Sequence, residues 1–539
     1  MLPTRHTETP RHRGSENSPG VLCASVCRIA AVVVASVVLA AAPGDLRLVD
    51  AVKAGNAAAV QKLLAARAPV NEPEADGMTA LHWAVRQDSE ALVRQLLRAG
   101  ATASAANRYG VTPLALAAVN GNPKTTELLL AAGANPNAIA LEGETVLMTA
   151  ARTGNAEVVD RLIAAGARID DTEKWRGETA LMWAAGENNA AAAKALIAHG
   201  ANINAQSRQI DYPEMRLNLS FMATTELPRG GFSPVMFAAR EGALDSARVL
   251  ADAKANLDLQ DPEGTTALML AIMNVHYDVA LMLVEKGANP NVYDKAAMGA
   301  LYAVVDMRTQ RPLTNMPPRK PSSDVDSLDV VRSLLKHGAD VNAVLKTTLL
   351  RRHHSTGDGS LGEGTTPLMR AARFGDAAAM RVLIEAGADV SKRQRNGNTA
   401  LLFASGVGFQ IGDGGFARTD KGSEEDAIAA IKLFLDAGAD VNQSTTSGDT
   451  PLHAAAARDG GQIVRYLVSR GANLDARDKS GRTALDVALG KPAAAGGRGR
   501  GGGGGGGAAA PEAGPVREKS AAVLKELMAA AGAKAPPPQ

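Results

Sequence analysis

The stretch GMTALHWAV, residues 77–85, recurs along the chain in altered form. The chain reads GVTPLALAA at residues 110–118 and GETVLMTAA at residues 143–151, so successive copies lie 33 residues apart. Self-similarity at a fixed period of roughly 20–50 residues is the signature of a protein built from stacked structural units. The period therefore indicates the architecture before any single residue is considered.

The threonine of the T-x-L triplet marks each copy. The marker positions are Thr79, Thr112, Thr145, Thr179, Ser233, Thr266, Gly299, Thr366, Thr399, Thr450 and Thr483. Most steps are 33 or 34 residues, and the steps of 54, 67 and 51 residues each equal one period plus inserted residues. A degenerate copy begins near Leu46, so the sequence predicts about twelve repeats.

Each period contains two short helical patterns. In the first repeat they are TALHWAVRQ and SEALVRQLLRAGA, and the second has its apolar residues on one face. A glycine such as Gly100 follows the second pattern, where a left-handed residue commonly ends a helix. An A-x-x-N-A segment then predicts a turn or hairpin that leads to the next helix. Since one unit cannot bury its own apolar face, the units must stack.

The motif T-P-L-H-x-A stands complete at residues 450–455 and nearly complete at residues 79–84. With the period, it makes most of residues 45–535 resemble the ankyrin repeat family. The resemblance implies an all-α fold, an ankyrin-repeat solenoid of stacked helix pairs with β-hairpin finger loops on one side. It also implies that the chain binds other proteins, on the concave face and the finger loops.

The motif histidine is the main departure from that pattern. It is present only at His82 and His453, and other repeats have residues such as Met148 and Met182 instead. We expect these replacements to remove hydrogen bonds that bridge loops and to leave the fold intact.

The chain is predicted to divide into a leader, a repeat region and a final helix. The predicted segments are a signal peptide at 1–42, ankyrin repeats at 43–489, insertions near 208–231, 309–326, 344–363 and 405–422, a Gly-rich flexible loop at 490–515, a last helix capping the solenoid at 516–535 and a tail at 536–539. A free linker followed by a detached helix is the alternative for the C-terminal segments.

The predicted leader has arginines followed by the 14-residue apolar run at 29–42. A run of that length fits the apolar region of a secretory signal peptide and is short for a membrane span. We therefore expect a bacterial protein that is periplasmic or secreted, with no stable membrane span after signal removal. An uncleaved inner-membrane anchor and a mitochondrial-type presequence are the alternatives. Cys23 and Cys27 both lie in the leader, so the mature chain would contain no thiol.

Charge and motifs exclude two functional classes. Removing the four basic and two acidic residues of 1–42 from the totals of 58 and 56 leaves 54 of each, so the mature chain is neutral. Nucleic-acid-binding proteins usually have a basic excess, and we expect no nucleic-acid partner. No sequence motif places a nucleophile beside a base or groups metal ligands, so we expect no enzyme activity, no cofactor and no metal.

Surface recognition remains, and the family pattern indicates the residues that would carry it. The candidate protein-binding residues are Trp83, Arg86, Arg108, Tyr109, Arg152, Trp175, Arg176, Trp183, Phe237, Arg240, Arg373 and Phe403. They occupy finger positions just before the marker or positions four and seven after it. Trp, Tyr and Arg dominate the energetics of protein interfaces. Alternatively, the aromatic residues only fill space between layers and the arginines pair with neighbouring repeats.

The function expected from the sequence is a monomeric, non-catalytic protein–protein interaction module. An immunity- or scaffold-type protein that shields a co-expressed enzyme is one alternative. A secreted effector that acts on a host protein is the other.

Overall fold

The computed structural model describes residues 44–209, 230–309, 322–347, 360–407, 423–492 and 514–532. From Asp45 onward these residues belong to one compact unit. The predicted signal peptide, the predicted tail and the larger part of each predicted insertion and of the Gly-rich segment lie outside the described residues.

Two helices occupy each period in the part of the chain that the structure describes. The helices are α1 Arg47–Lys53, α2 Ala57–Ala65, α3 Ala80–Arg86, α4 Glu90–Arg98, α5 Pro113–Asn120, α6 Pro123–Ala131, α7 Val146–Thr153, α8 Ala156–Ala164, α9 Ala180–Gly186, α10 Ala190–Ala198, α11 Pro234–Glu241, α12 Leu244–Asp252, α13 Ala267–Met273, α14 Tyr277–Glu285, α15 Ala300–Arg308, α16 Ser327–Lys336, α17 Pro367–Phe374, α18 Ala377–Glu385, α19 Ala400–Ser405, α20 Glu424–Asp436, α21 Pro451–Ala457, α22 Gly461–Ser469, α23 Ala484–Ala488 and α24 Glu518–Gly532.

The helices stack in two layers. Each odd-numbered, or first, helix packs on the second helix of its own pair and on the first helix of the next pair. Buried alanine, leucine and valine side chains fill the space between the layers. The described residues contain no β-strand, and a single isolated bridge joins Ile139 to Thr145. The all-α class is confirmed, and the fingers are hydrogen-bonded turns.

The marker threonine is the N-cap of the first helix. The Oγ1 atom of Thr112 accepts the backbone N–H of Ala115 at 3.2 Å, and Thr366 Oγ1 accepts that of Met369 at 3.2 Å. An N-cap side chain satisfies one of the backbone donors that a helix leaves unpaired. The most regular feature of the sequence is therefore a helix start that recurs in every repeat.

The motif histidine links its own helix start to the next finger. His82 Nδ1 accepts the backbone N–H of Thr79 at 3.1 Å, and its Nε2 lies 3.1 Å from the carbonyl of Val111 in the next repeat. Met148 keeps the first contact, since its sulfur lies 3.4 Å from the N–H of Thr145, but a thioether has no donor for the second. The expected loss of a loop bridge is therefore observed, and the helix start is retained.

A second bridge runs through the asparagine of the A-x-x-N segment. The side-chain N–H of Asn137 donates to the carbonyl of Gly166 at 2.9 Å, while its Oδ1 accepts the backbone N–H of Arg168 at 2.9 Å. Asn71 makes the same pair of contacts to the following repeat. This residue therefore connects neighbouring repeats, whereas the sequence pattern indicated only a turn.

The longest step between markers is occupied by one helix pair, α15 and α16, and buried ion pairs connect it to the next pair. Arg370, which is 3% exposed, contacts Asp306 with Nε at 2.5 Å. Arg308 contacts Asp376 at 2.6 Å. These pairs join α15 to α17 and to the start of α18, so the stack continues across two predicted insertions.

The last helix, α24, packs against α22 and α23. Its Glu526 forms an ion pair with Arg465 at 2.9 Å, and the N–H of Ser520 donates to Asp459 at 3.0 Å. Leu524 is buried against the stack. The helix thus covers the apolar end that α22 and α23 would otherwise expose.

The stability that His82 provides should depend on pH. Burial lowers the pKa of its imidazole. A depressed pKa stabilises the fold above the unfolded-state pKa of about 6.5, and this stability is lost as pH falls toward the folded-state pKa. The substitution His82→Met should destabilise the first repeats by about 1 kcal/mol at pH 7.5 because one hydrogen bond is lost. Hydrogen exchange of residues 79–86 should show this difference shrinking as pH falls to about 5.5; a constant difference would contradict the assignment.

Removal of Arg370 should loosen the stack between α15 and α17. Arg370→Ala leaves Asp306 without its buried cation, which typically costs roughly 3 kcal/mol. Amides in α15 and α17 should then exchange about a hundred-fold faster with solvent. The control is Arg332→Ala, because the Arg332–Asp329 pair is more than half exposed and should contribute less than about 1 kcal/mol. Equal exchange in the two variants would contradict a linking role for the buried pair.

Candidate protein-binding site

The fingers form a continuous row held by backbone hydrogen bonds. The N–H of Arg108 donates to the carbonyl of Asp76 in the preceding finger at 2.9 Å, and the N–H of Leu141 donates to Tyr109 at 3.2 Å. The same bond recurs between later fingers, such as Lys479 to Ser447 at 2.8 Å. One such bond for each finger fixes the spacing of the tips without forming a β-strand.

We use the term finger face for the side of the stack formed by the fingers at 74–78, 107–111, 140–144 and 173–178 together with the first helices α3, α5, α7, α9 and α11. Side chains of the first helices contact these fingers directly. For example, Thr149 of α7 donates through Oγ1 to Glu144 at 2.7 Å. Residues from both elements therefore share one surface.

Trp83 lies in a charged cluster on this face. Its indole Nε1 donates to Glu74 at 2.5 Å, and Glu74 also pairs with Lys53 of the previous repeat. The Lys53 ammonium lies 4.5 Å and the Arg86 guanidinium 5.1 Å from the indole centroid. Trp83 is half-buried and its indole N–H is paired, whereas Arg86 is exposed.

Arg152 joins two neighbouring repeats on the same face. Its guanidinium lies 5.3 Å from the centroid of Trp183 and contacts Glu144 at 3.4 Å. Trp183 is half-buried, and its Nε1 has no hydrogen-bond partner within the described residues. Arg152 therefore combines the two roles left open by the sequence: it pairs with a neighbour and presents an exposed guanidinium.

The third arginine, Arg240, lies over two phenylalanines. Its guanidinium is 5.5 Å from the centroid of Phe232 and 5.0 Å from that of Phe237, and the two rings meet edge to face at 5.8 Å. Phe237 is only 6% exposed. It supports Arg240 from below and offers a partner little area, so we remove Phe237 from the contact residues.

Arg373 and Phe403 lie on α17 and α19, farther along the stack from the other candidates. Arg373 is half-buried, lies 5.4 Å from the ring of Phe374 and donates to Ser360 at 3.2 Å. Phe403 is 3% exposed and packs in the core. Phe403 therefore fills space between layers, as the alternative interpretation proposed, and we remove it from the contact residues as well.

The finger candidates are the most exposed residues of the set. Arg108, Tyr109, Trp175 and Arg176 all lie at finger tips, with Tyr109 61% and Trp175 71% exposed. Leu141 occupies the same position relative to its marker as Arg108 and Trp175, and it is 64% exposed. Sequence reasoning missed Leu141 because it favoured Trp, Tyr and Arg, although the register alone identifies it.

Two buried glutamates shape the third finger. The carboxylate of Glu173 accepts the backbone N–H groups of Trp175, Arg176 and Glu178 at 2.5, 2.6 and 3.0 Å. Burial raises the pKa of Glu178, and the nearby Arg176 and Arg240 oppose this shift. The finger that carries Trp175 is thus held in one conformation by its own side chains.

The described residues contain no group of three His, Cys, Asp or Glu side chains placed to hold a metal ion. Within that same part of the chain, no helix combines the length and the apolar character that crossing a bilayer requires.

The architecture and the site together define a repeat-built recognition protein. A family profile described as Ankyrin repeats (3 copies) matches residues 48–140, 137–207, 217–294, 322–410 and 422–494, which is well over half of the chain. The chain belongs to the ankyrin repeat family. Ankyrin repeats are a generic protein–protein interaction module and are typically non-catalytic.

Relatives match only part of their own length. Ankyrin repeat and SOCS box protein 16 of Homo sapiens is 30% identical over 258 residues, which is 48% of this chain and 47% of that protein. The nuclear factor NF-kappa-B p105 subunit of Gallus gallus is 26% identical over 236 residues, covering 40% of this chain and 21% of the relative. The crystal structure of the human ASB11 ankyrin repeat domain is 24% identical and covers 45% of this chain and 98% of that one, with a TM-score of 0.38.

The three tryptophans should differ in their access to solvent. Trp175 is 71% exposed, whereas Trp83 and Trp183 are half-buried. Acrylamide should therefore quench the native protein mainly through Trp175. The variant Trp175→Phe should lose most of the readily quenched fluorescence, and Trp83→Phe and Trp183→Phe should keep it. If Trp175→Phe left the quenched fraction unchanged, the finger tip would be covered in solution.

Proposed function

We propose that the chain is a non-catalytic protein-binding protein that holds its partner on the finger face. The observation that carries the proposal is a row of three arginines, Arg86, Arg152 and Arg240, at the same position after their markers. Each guanidinium lies about 5 Å from the centroid of an aromatic ring. Side chains that are already ordered lose little conformational entropy on binding, and Arg is among the residues that dominate interface energy.

The cellular setting belongs to the same proposal. An arginine-bearing leader followed by an apolar run at 29–42 supports export, and we propose a bacterial periplasmic or secreted protein of about twelve repeats that acts as a monomer. An immunity- or scaffold-type protein and a secreted effector would both use the finger face. The identity of the captured partner separates these three roles.

The proposal is tested by capture of partners from a cell-envelope extract with the full chain as bait. The finger-face variant carries Arg86→Ala, Arg152→Ala and Arg240→Ala. Trp83 and Trp183 stay unchanged because they are half-buried and their loss would disturb packing. We expect a protein that is retained by the native chain and is reduced at least tenfold with the variant.

The matched control replaces three exposed arginines of the second helices instead. The control substitutions are Arg94→Ala, Arg248→Ala and Arg332→Ala. This variant should retain the partner as the native chain does, and both variants should show unchanged helicity by circular dichroism. Equal retention by the finger-face variant and the control, or no retained protein at all, would contradict the proposal.

A further inference from the structure

Exposed apolar side chains concentrate on three neighbouring fingers. The large hydrophobic residues exposed in the described part of the chain are Tyr109, Val119, Ile139, Leu141, Trp175, Val344 and Val516. Five of these seven fall between positions 109 and 175, within three consecutive repeats. A concentration of this kind on a water-exposed surface marks an interaction site more often than scattered single residues do.

Three of these residues lie in a row. Tyr109, Leu141 and Trp175 each lie three or four positions before a marker, and we name them the tip ridge. The N–H of Leu141 donates to the carbonyl of Tyr109 at 3.2 Å, and the N–H of Lys174 donates to that of Glu142 at 3.3 Å. The three tips are thus neighbours on a row whose spacing the backbone fixes.

Cations flank the tip ridge. Arg108, Lys174 and Arg208 are exposed, and none of them pairs with a carboxylate of the described residues. Arg176 adds a fourth cation, 3.7 Å from the partly buried Glu178. Glu142 is the one carboxylate at the described tips of these three fingers. The surface therefore combines apolar contact area with an excess of positive charge.

This combination identifies the chemistry of the occupant. We propose that the tip ridge binds a linear, acidic segment of a partner polypeptide whose apolar side chains contact Tyr109, Leu141 and Trp175. Carboxylates of the segment would pair with Arg108, Lys174 and Arg208. The inference rests on the proposed function and deepens it by stating the chemical class of the partner.

The step between fingers sets the spacing of the apolar residues in that segment. Neighbouring helices pack about 8–10 Å apart, so we expect neighbouring tips to be separated by a similar distance. An extended chain rises about 3.1–3.4 Å per residue. Apolar residues should therefore recur about every third position, with acidic residues between them.

A single-stranded nucleic acid is the other polymer that aromatic and cationic residues can bind. Bases stack on aromatic rings, and the middle position of the tip ridge is Leu141, which offers no ring to stack on. The balance of 58 basic and 56 acidic residues also lacks the charge excess typical of such proteins. The ridge therefore fits a polypeptide better than a nucleic acid.

The experiment selects ligands for the full chain from a phage-displayed library of random twelve-residue peptides. Enriched peptides are synthesised with a fluorophore, and their affinity is measured by fluorescence anisotropy. A ridge variant carries Tyr109→Ser, Leu141→Ser and Trp175→Ser, which replace only exposed side chains. We expect enriched peptides that are acidic, with apolar residues about three positions apart, and at least tenfold weaker binding to the ridge variant.

Two further variants separate charge and general hydrophobicity. Arg108→Glu with Lys174→Glu should weaken binding about tenfold, and the loss should shrink at high salt because exposed charges are screened. Val344→Ser with Val516→Ser removes exposed apolar residues elsewhere in the described chain and should leave the affinity unchanged. A twelve-nucleotide thymidine DNA should neither bind nor compete with the peptides.

Each remaining outcome overturns the inference. Peptides that bind the ridge variant as tightly as the native chain would place the site elsewhere, while protein binding on the finger face would stand. Enriched peptides without acidic residues, binding of the DNA, or no enrichment at all would reject the assigned chemistry. The capture experiment decides the proposed function separately, because its variants leave the tip ridge unchanged.

Discussion

Contact between each helix pair and the next is the interaction on which the rest of this structure depends. A pair of helices of about nine residues buries its leucines and alanines only against its neighbours. The finger bond from Arg108 to Asp76 and the asparagine bridge from Asn137 to Gly166 repeat at the same spacing. Packing and hydrogen bonding therefore agree on one step, and that step sets the distance between surface residues.

The sequence predicted the framework because the framework is periodic. The marker threonine, the closing glycine and the apolar face each recur every 33 residues, so every repeat independently supports the same fold. Met148 shows why the framework tolerates change: its sulfur still meets the N–H of Thr145, although the contact to the next finger is lost. A helix start survives when one of two bridges is removed, since packing supplies most of the stability of a short helix.

The candidate site was predicted less completely, because register gives a position and not its exposure. Phe237 and Phe403 occupy the same register as Trp83, yet they are buried, since smaller neighbours let their rings enter the core. Leu141 was missed although it is more exposed than Tyr109. The buried link between Arg370 and Asp306 could not be predicted at all, because it joins residues on either side of two insertions of irregular length.

The central claim is that this stack meets its partner on the finger face and not on the opposite layer of second helices. The most direct measurement is photo-crosslinking in cells that express the chain, with benzoylphenylalanine at position 141 or at position 194. Leu141 is an exposed tip residue, and Lys194 is an exposed residue of the second helix α10. We expect a crosslinked protein adduct from position 141 and none from position 194. Adducts of equal yield, or an adduct from position 194 alone, would contradict the claim.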